Sequence, residues 1–244
     1  MNMPYIGVTG LTLPRHMQGI VGINTGSKGK LLAIGVLASY KTIHAQQTNE
    51  RYPQLKKICR IFSPAQHCFN VIHYYSRTTD YLSRQLETIT QYGGAYLGGL
   101  QVNISLPPLA ELGKFKTRYS QIKLILQINK DWLQKAEGSS ERLAELAANY
   151  QTVADYLLFD CSRGKGITID VELADRCLAE LSTLGDSVDL GVAGGLCAET
   201  LENIRPLIKK YPKLSWDAES GLRDDQDNFS LLKAITYLEK SFKM

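Results

Sequence analysis

From end to end this chain repeats one alternation, a short run rich in Val, Ile, Leu and aromatic residues followed by a longer stretch with helical spacing, eight times over. The β-rich runs are Tyr5–Gly10, Leu31–Ser39, Phe69–Tyr75, Tyr96–Ile104, Ile122–Ile128, Tyr156–Cys161, Val188–Gly194 and Leu214–Ser220. Their starts lie about 30 residues apart, the length of one strand–helix–strand unit. Between them, Leu143, Leu146, Ala147 and Tyr150 share a helix face, as do Leu173, Cys177, Leu178 and Leu181. Leu201, Ile204, Leu207 and Ile208 repeat the pattern, with Glu199 and Glu202 ahead and Lys209 and Lys210 behind, as the helix dipole favours, until Pro212 stops it. Consecutive parallel units of this kind close into an α/β fold of the (β/α)₈ barrel type. The alternative, an open doubly wound sheet, usually has fewer strands, and no Gly-x-Gly-x-x-Gly turn follows the first run. No linker composition interrupts the chain, so residues 1–244 read as one barrel domain.

Composition removes several classes of function. The 28 basic and 24 acidic side chains leave a net charge of +4, too small and too scattered to neutralise a nucleic-acid backbone. The longest apolar run, Leu31–Ala38, falls far short of the roughly 20 residues that span a bilayer. Met1–Gly10 lacks the charged start and apolar middle of a secretory signal, so a cytoplasmic location is expected. The five cysteines form no Cys-x-x-Cys pair and read as reduced, mostly buried thiols. No metal site assembles from the spacing of the histidines and cysteines, and no cofactor is expected.

A barrel keeps its chemistry where strands end and the following loops begin. Asp160, directly after the apolar Leu157-Leu158-Phe159, is the leading candidate there. Asp217 and Glu219, two apart on the eighth run, can face the same side and raise one another's proton affinity. Arg163-Gly164-Lys165-Gly166, Gly194-Gly195-Leu196 and Ser220-Gly221 follow the last three runs, and bare amides in such turns can close around phosphate oxygens. The expected partner is therefore a phosphorylated small molecule. His73 reads equally well as a packed core group or a site residue. His16 and His44 read as surface groups, Trp216 as packing against helices, and Trp132 as either pocket or helix shell.

With these motifs in view, the chain resembles the phosphoribosylanthranilate isomerases among the ribulose-phosphate-binding barrels. Gly10-Leu11-Thr12 with Pro14 resembles the family's Cys-Gly-Leu-Thr segment, and Leu157-Leu158-Phe159-Asp160 its Leu-Leu-Leu-Asp. Gly164-Lys165 resembles its Gly-Lys loop, Ala193-Gly194-Gly195-Leu196 its Ala-Gly-Gly-Leu, and Asp217, Ser220 and Gly221 its Asp-Val-Ser-Ser-Gly turn. Arg51-Tyr52 is similar to the arginine that holds the substrate carboxylate, and Gln101 to the glutamine of a Gln-Leu-His, with Asn103 in the place of the histidine. The resemblance implies an Amadori rearrangement, in which a general acid, here Asp160, protonates the ring oxygen and a base removes the C2 proton. Two positions depart from the family. Thr9 stands where it has the basic cysteine, and a threonine hydroxyl ionises far above neutral pH. Glu219 puts a carboxylate where it has a small serine, which calls for a cation such as Arg223 or Arg163 beside it. Three readings stay open: a diverged sugar-phosphate enzyme with Asp160 as acid and Glu219 or Asp217 as base, the isomerase itself with a substitute base, and a ligand-binding barrel without catalysis.

Overall fold

The computed structural model describes residues 2–23, 29–44, 49–160 and 168–244. Eight strands, β1 (Tyr5–Thr9), β2 (Leu31–Ser39), β3 (Cys68–Tyr75), β4 (Leu97–Asn103), β5 (Lys123–Ile128), β6 (Tyr156–Phe159), β7 (Asp189–Ala193) and β8 (Ser215–Ala218), form a closed barrel in chain order. Every neighbouring pair is parallel, and β1 closes on β8. Among the described residues the helices are α1 (Pro14–Val21), α2 (Tyr40–Ile43), α3 (Leu82–Gly93), α4 (Leu109–Arg118), α5 (Lys130–Lys135), α6 (Ser140–Ala148), α7 (Val171–Ser182), α8 (Arg205–Lys210) and α9 (Leu231–Ser241). None is long and apolar enough to cross a membrane.

Strand parity divides the core in two. Ile6, Val8, Leu32, Ile34, Val36, Ile72 and Tyr74 face outward and pack under the helices. Tyr5, Phe69, Val71, Ile125, Tyr156 and Leu158 face inward and fill the barrel. At the base, the rings of Tyr5, Phe69 and Tyr156 meet with centroids 5.7, 5.3 and 6.0 Å apart, closing the N-terminal end. Several helices begin at side-chain caps: Asp170 accepts from the Leu173 N–H ahead of α7, Ser139 from Arg142 ahead of α6, and Ser230 from Lys233 ahead of α9.

The strands stop one or two residues short of several expected ends, for a backbone reason. Gly10 and Gly194 take φ of 101° and 127°, in the region that ends a strand and favours glycine, and Ser220 opens a 3₁₀ turn. Asp160 and Glu219 thus start loops just past β6 and β8. Leu201–Ile204 is likewise a 3₁₀ turn leading into α8, which has Pro206 in its first turn. His16, Trp132 and the cysteines differ from expectation or resolve an alternative. His16 is buried against the ring of Phe229, 4.8 Å away, because α1 lays it under the loop before α9. Trp132 is wholly buried in the helix shell beside Tyr150. Of the described cysteines only Cys177 is buried; Cys59 is exposed, and Cys68 and Cys197 are half-buried on helix-side and loop surfaces.

Candidate functional site

At the C-terminal mouth the inward parity that is apolar lower down turns polar. A cavity of about 160 Å³ opens there. Asp160, Asp217, Glu219, Arg51, Tyr52, His73, Gln101, Asn103, Gly194, Gly195 and Ser220 line it, with Leu37 and Ala193 supplying an apolar patch. Most residues singled out in the sequence thus meet around one space. Thr9 stands just behind Asp217, and Gly221 lies outside the lining. Arg163, Gly164 and Lys165 fall outside the described residues, as does Cys161.

Two hydrogen-bonded groups organise the mouth. Thr9 Oγ1 donates to Asp217 Oδ1 at 3.0 Å in a buried contact between β1 and β8. On the opposite strands Gln101 Nε2 donates to Gln127 Oε1 at 3.0 Å, and Gln127 Nε2 donates to Asp160 Oδ2 at 2.7 Å. His73 Nδ1 sits 3.4 Å from Gln101 Nε2 and 3.6 Å from Glu219 Oε2. Both acids are therefore oriented by neighbours rather than left to rotate.

Burial pushes the Asp217 carboxyl up to about 8, and the charges of Glu219 and Asp160 add to the effect against the opposing hydrogen bond from Thr9. Burial lowers the pKa of His73, with Glu219 and Asp160 pulling the other way, which favours the neutral ring. Glu219 faces Arg51, whose Nη1 is 3.7 Å from Oε1. The cation beside Glu219 is thus Arg51 as well as the expected Arg223, whose buried guanidinium lies close enough to act on it electrostatically.

Glycines make room for these side chains. In the β1–β8 register Gly7 is opposite Asp217, and a Cβ on Gly7 would come within 2.1 Å of Asp217 Oδ1. Thr9 is opposite Gly35 of β2, where a Cβ would lie 2.2 Å from Thr9 Oγ1. Gly221 also serves packing: a Cβ there would meet the Leu196 carbonyl at 2.3 Å, so its bareness lets the loops after β7 and β8 touch.

Gln127, Gly7, Gly35 and Asp227 belong to the site without having stood out in the sequence. Gln127 was recoverable from parity, since it shares the inward phase of Ile125, and a lone glycine inside a strand marks close approach. Asp227 had no signal. It lies 176 residues from Arg51, yet Arg51 Nε and Nη2 donate to its two oxygens at 2.5 and 2.6 Å.

The class so defined is a closed parallel (β/α)₈ barrel with its ionisable groups gathered at the strand C-termini, the face where such barrels hold their active sites. No protein-family model matches the sequence, and no curated protein matches it. In three dimensions the chain is similar to phosphoribosylanthranilate isomerases. That of Thermotoga maritima is 19% identical, with 99% of this chain and 100% of the other covered at a TM-score of 0.67. That of Thermus thermophilus is 15% identical, with 98% of each chain covered at 0.65. A phosphoribosylanthranilate isomerase in complex with reduced 1-(o-carboxyphenylamino)-1-deoxyribulose 5-phosphate is 18% identical, covering 99% and 100% at 0.64. The likeness is one of fold over the full length.

Proposed function

We propose that this barrel acts on a small phosphorylated sugar or a related ligand by general acid–base chemistry that has diverged from the isomerases it resembles. The observation that carries this reading is the buried Thr9–Asp217 pair facing Asp160 and Glu219 across one pocket. A base that removes a carbon-bound proton works best with a proton affinity near the operating pH, and Asp217, raised to about 8, has it. Thr9, unable to act as a base itself, holds the Asp217 carboxylate in place. Asp160, held by Gln127, is the acid. In the reaction Asp160 gives its proton to the ring oxygen as the ring C–O bond breaks, and ionised Asp217 takes the proton from the adjacent carbon. Gly194, Gly195 and Ser220 offer the phosphate end a turn of backbone amides, with Arg163 and Lys165 of the sixth loop expected to supply charge. Glu219 is the alternative base, paired with Arg51.

The test is turnover across a panel of aldose and aminoaldose phosphates. Asp160→Asn and Asp217→Asn should each lower kcat by about 10²–10⁴-fold, and wild-type activity should rise with pH through about 8 as Asp217 ionises. Unchanged turnover in Asp160→Asn would remove the acid from this scheme. Ligand-induced thermal stabilisation with no product from any member would point to a binding barrel instead. The Thr9–Asp217 pair also favours a second reading, the parent isomerase with a carboxylate base. That reading predicts loss of phosphoribosylanthranilate fluorescence, faster in Thr9→Cys.

A further inference from the structure

Arg51 is the one guanidinium among the described residues lining the pocket, and it is already engaged. Its Nε and Nη2 meet the two oxygens of Asp227 at 2.5 and 2.6 Å, the parallel two-bond match by which arginine recognises a carboxylate. The turn that carries Asp227 is braced chiefly by contacts other than that carboxylate, whose Oδ1 lies 3.9 Å from Arg223 Nε within the turn. Asp224 Oδ1 accepts from the backbone N–H groups of Gln226 and Asn228 at 3.0 and 2.8 Å, and Arg223 Nη1 donates to the Asp227 carbonyl at 2.9 Å. Arg223 is itself buried, 6% exposed, which fixes the turn to the barrel. The Asp227 side chain is thereby presented to Arg51 from a preset backbone. A tethered group of this kind acts at an effective concentration in the millimolar range or above, so a carboxylate arriving from solution must outcompete a partner already in place.

We infer that Asp227 is a specificity-determining residue: an internal carboxylate that occupies the two-bond face of Arg51 and so restricts the pocket to ligands with no carboxylate at their outer end. This rests on the pocket being a ligand site, and it reverses the role that resemblance alone implies for Arg51. It narrows the substrate class to phosphorylated sugars with a neutral substituent at that end.

The experiment is an NMR titration of the full chain with benzoate and with benzamide, its uncharged counterpart. In the wild type the two should bind alike. In Asp227→Asn benzoate should bind at least tenfold more tightly than benzamide, and adding Arg51→Gln should erase the difference. Asp227 has φ of 66°, which asparagine tolerates well, so the turn should persist in that variant. Asp227→Gly provides a second variant in which no amide can cap Arg51. Asp225→Asn removes the same charge from the same turn and should leave the two probes equal. A wild type that already prefers benzoate, an Asp227→Asn or Asp227→Gly protein with no preference, or an equal gain in Asp225→Asn overturns the inference. Repeating the titration in Asp160→Asn separates the two proposals. The benzoate gain needs only Arg51, so it survives failure of the catalytic reading, whereas its loss beside an intact Asp160 effect on turnover sinks this inference alone.

Discussion

Asp217 is a carboxyl group kept out of water and set facing two others. Burial raises its pKa from 3.8 to about 8, so the folded chain holds a proton there that the unfolded chain gives up above about pH 4. The stabilising contribution is complete below pH 4 and is lost as pH rises through about 8. Asp217→Asn, neutral throughout, should therefore match the wild type near pH 4 and exceed its stability at pH 8 by about 2–4 kcal/mol, measured by urea denaturation at both values. A wild-type stability that stays flat between pH 5 and 8 would mean that Asp217 is ionised over that range. The residue types at the mouth were legible in advance, because Asp160, Asp217 and Glu219 sit at the ends of β-rich runs, where a barrel keeps its chemistry. Their partners were not. Nothing in the neighbourhood of Arg51 announces Asp227, since that contact is made by two loops with no shared periodicity.

Among the secondary-structure elements, pairs of adjacent strands divide the space between them unequally. Around the Thr9–Asp217 pair, the residue opposite each inward polar side chain on the next strand is glycine, Gly7 opposite Asp217 and Gly35 opposite Thr9. Gly35→Ala would force its Cβ to within 2.2 Å of Thr9 Oγ1 and 2.9 Å of the Thr9 Cα, so both the side chain and the strand must shift. The expected cost is about 1–3 kcal/mol of overpacking, together with a lower kcat as Thr9 loses its hold on Asp217. Thermal melts and turnover measured on the one variant check both halves, and an alanine there that leaves both unchanged would show the strands to be freer than their register suggests. All eight strands could be read from the chain because each is a β-rich run bounded by turn residues. Their last residues could not, since a strand ends where a glycine takes positive φ or a loop turns under, which depends on what the loop packs against.

Over the whole molecule the two ends of the barrel have separate duties. The base is an aromatic plug of Tyr5, Phe69 and Tyr156, and the mouth is a ring of acids, amides and a histidine. Phe69→Ala should cost about 3–5 kcal/mol of stability through lost burial and the cavity left behind. At temperatures where it stays folded, the variant should keep the wild-type pH dependence of activity. A change in that pH profile would show that the base and the mouth are coupled. The barrel and the order of its strands were legible in the chain alone, because periodicities of two and 3.6 are local properties and their repetition admits few closed arrangements; which side of each strand faces inward was not, since runs such as Leu31–Ser39 are apolar on both faces. That Thr9 donates to Asp217, that Gln127 orients Asp160 and that Asp227 fills Arg51 emerges only in the folded molecule. Those contacts join residues far apart in the chain, and their geometry exists only once barrel closure has set the spacing between strands.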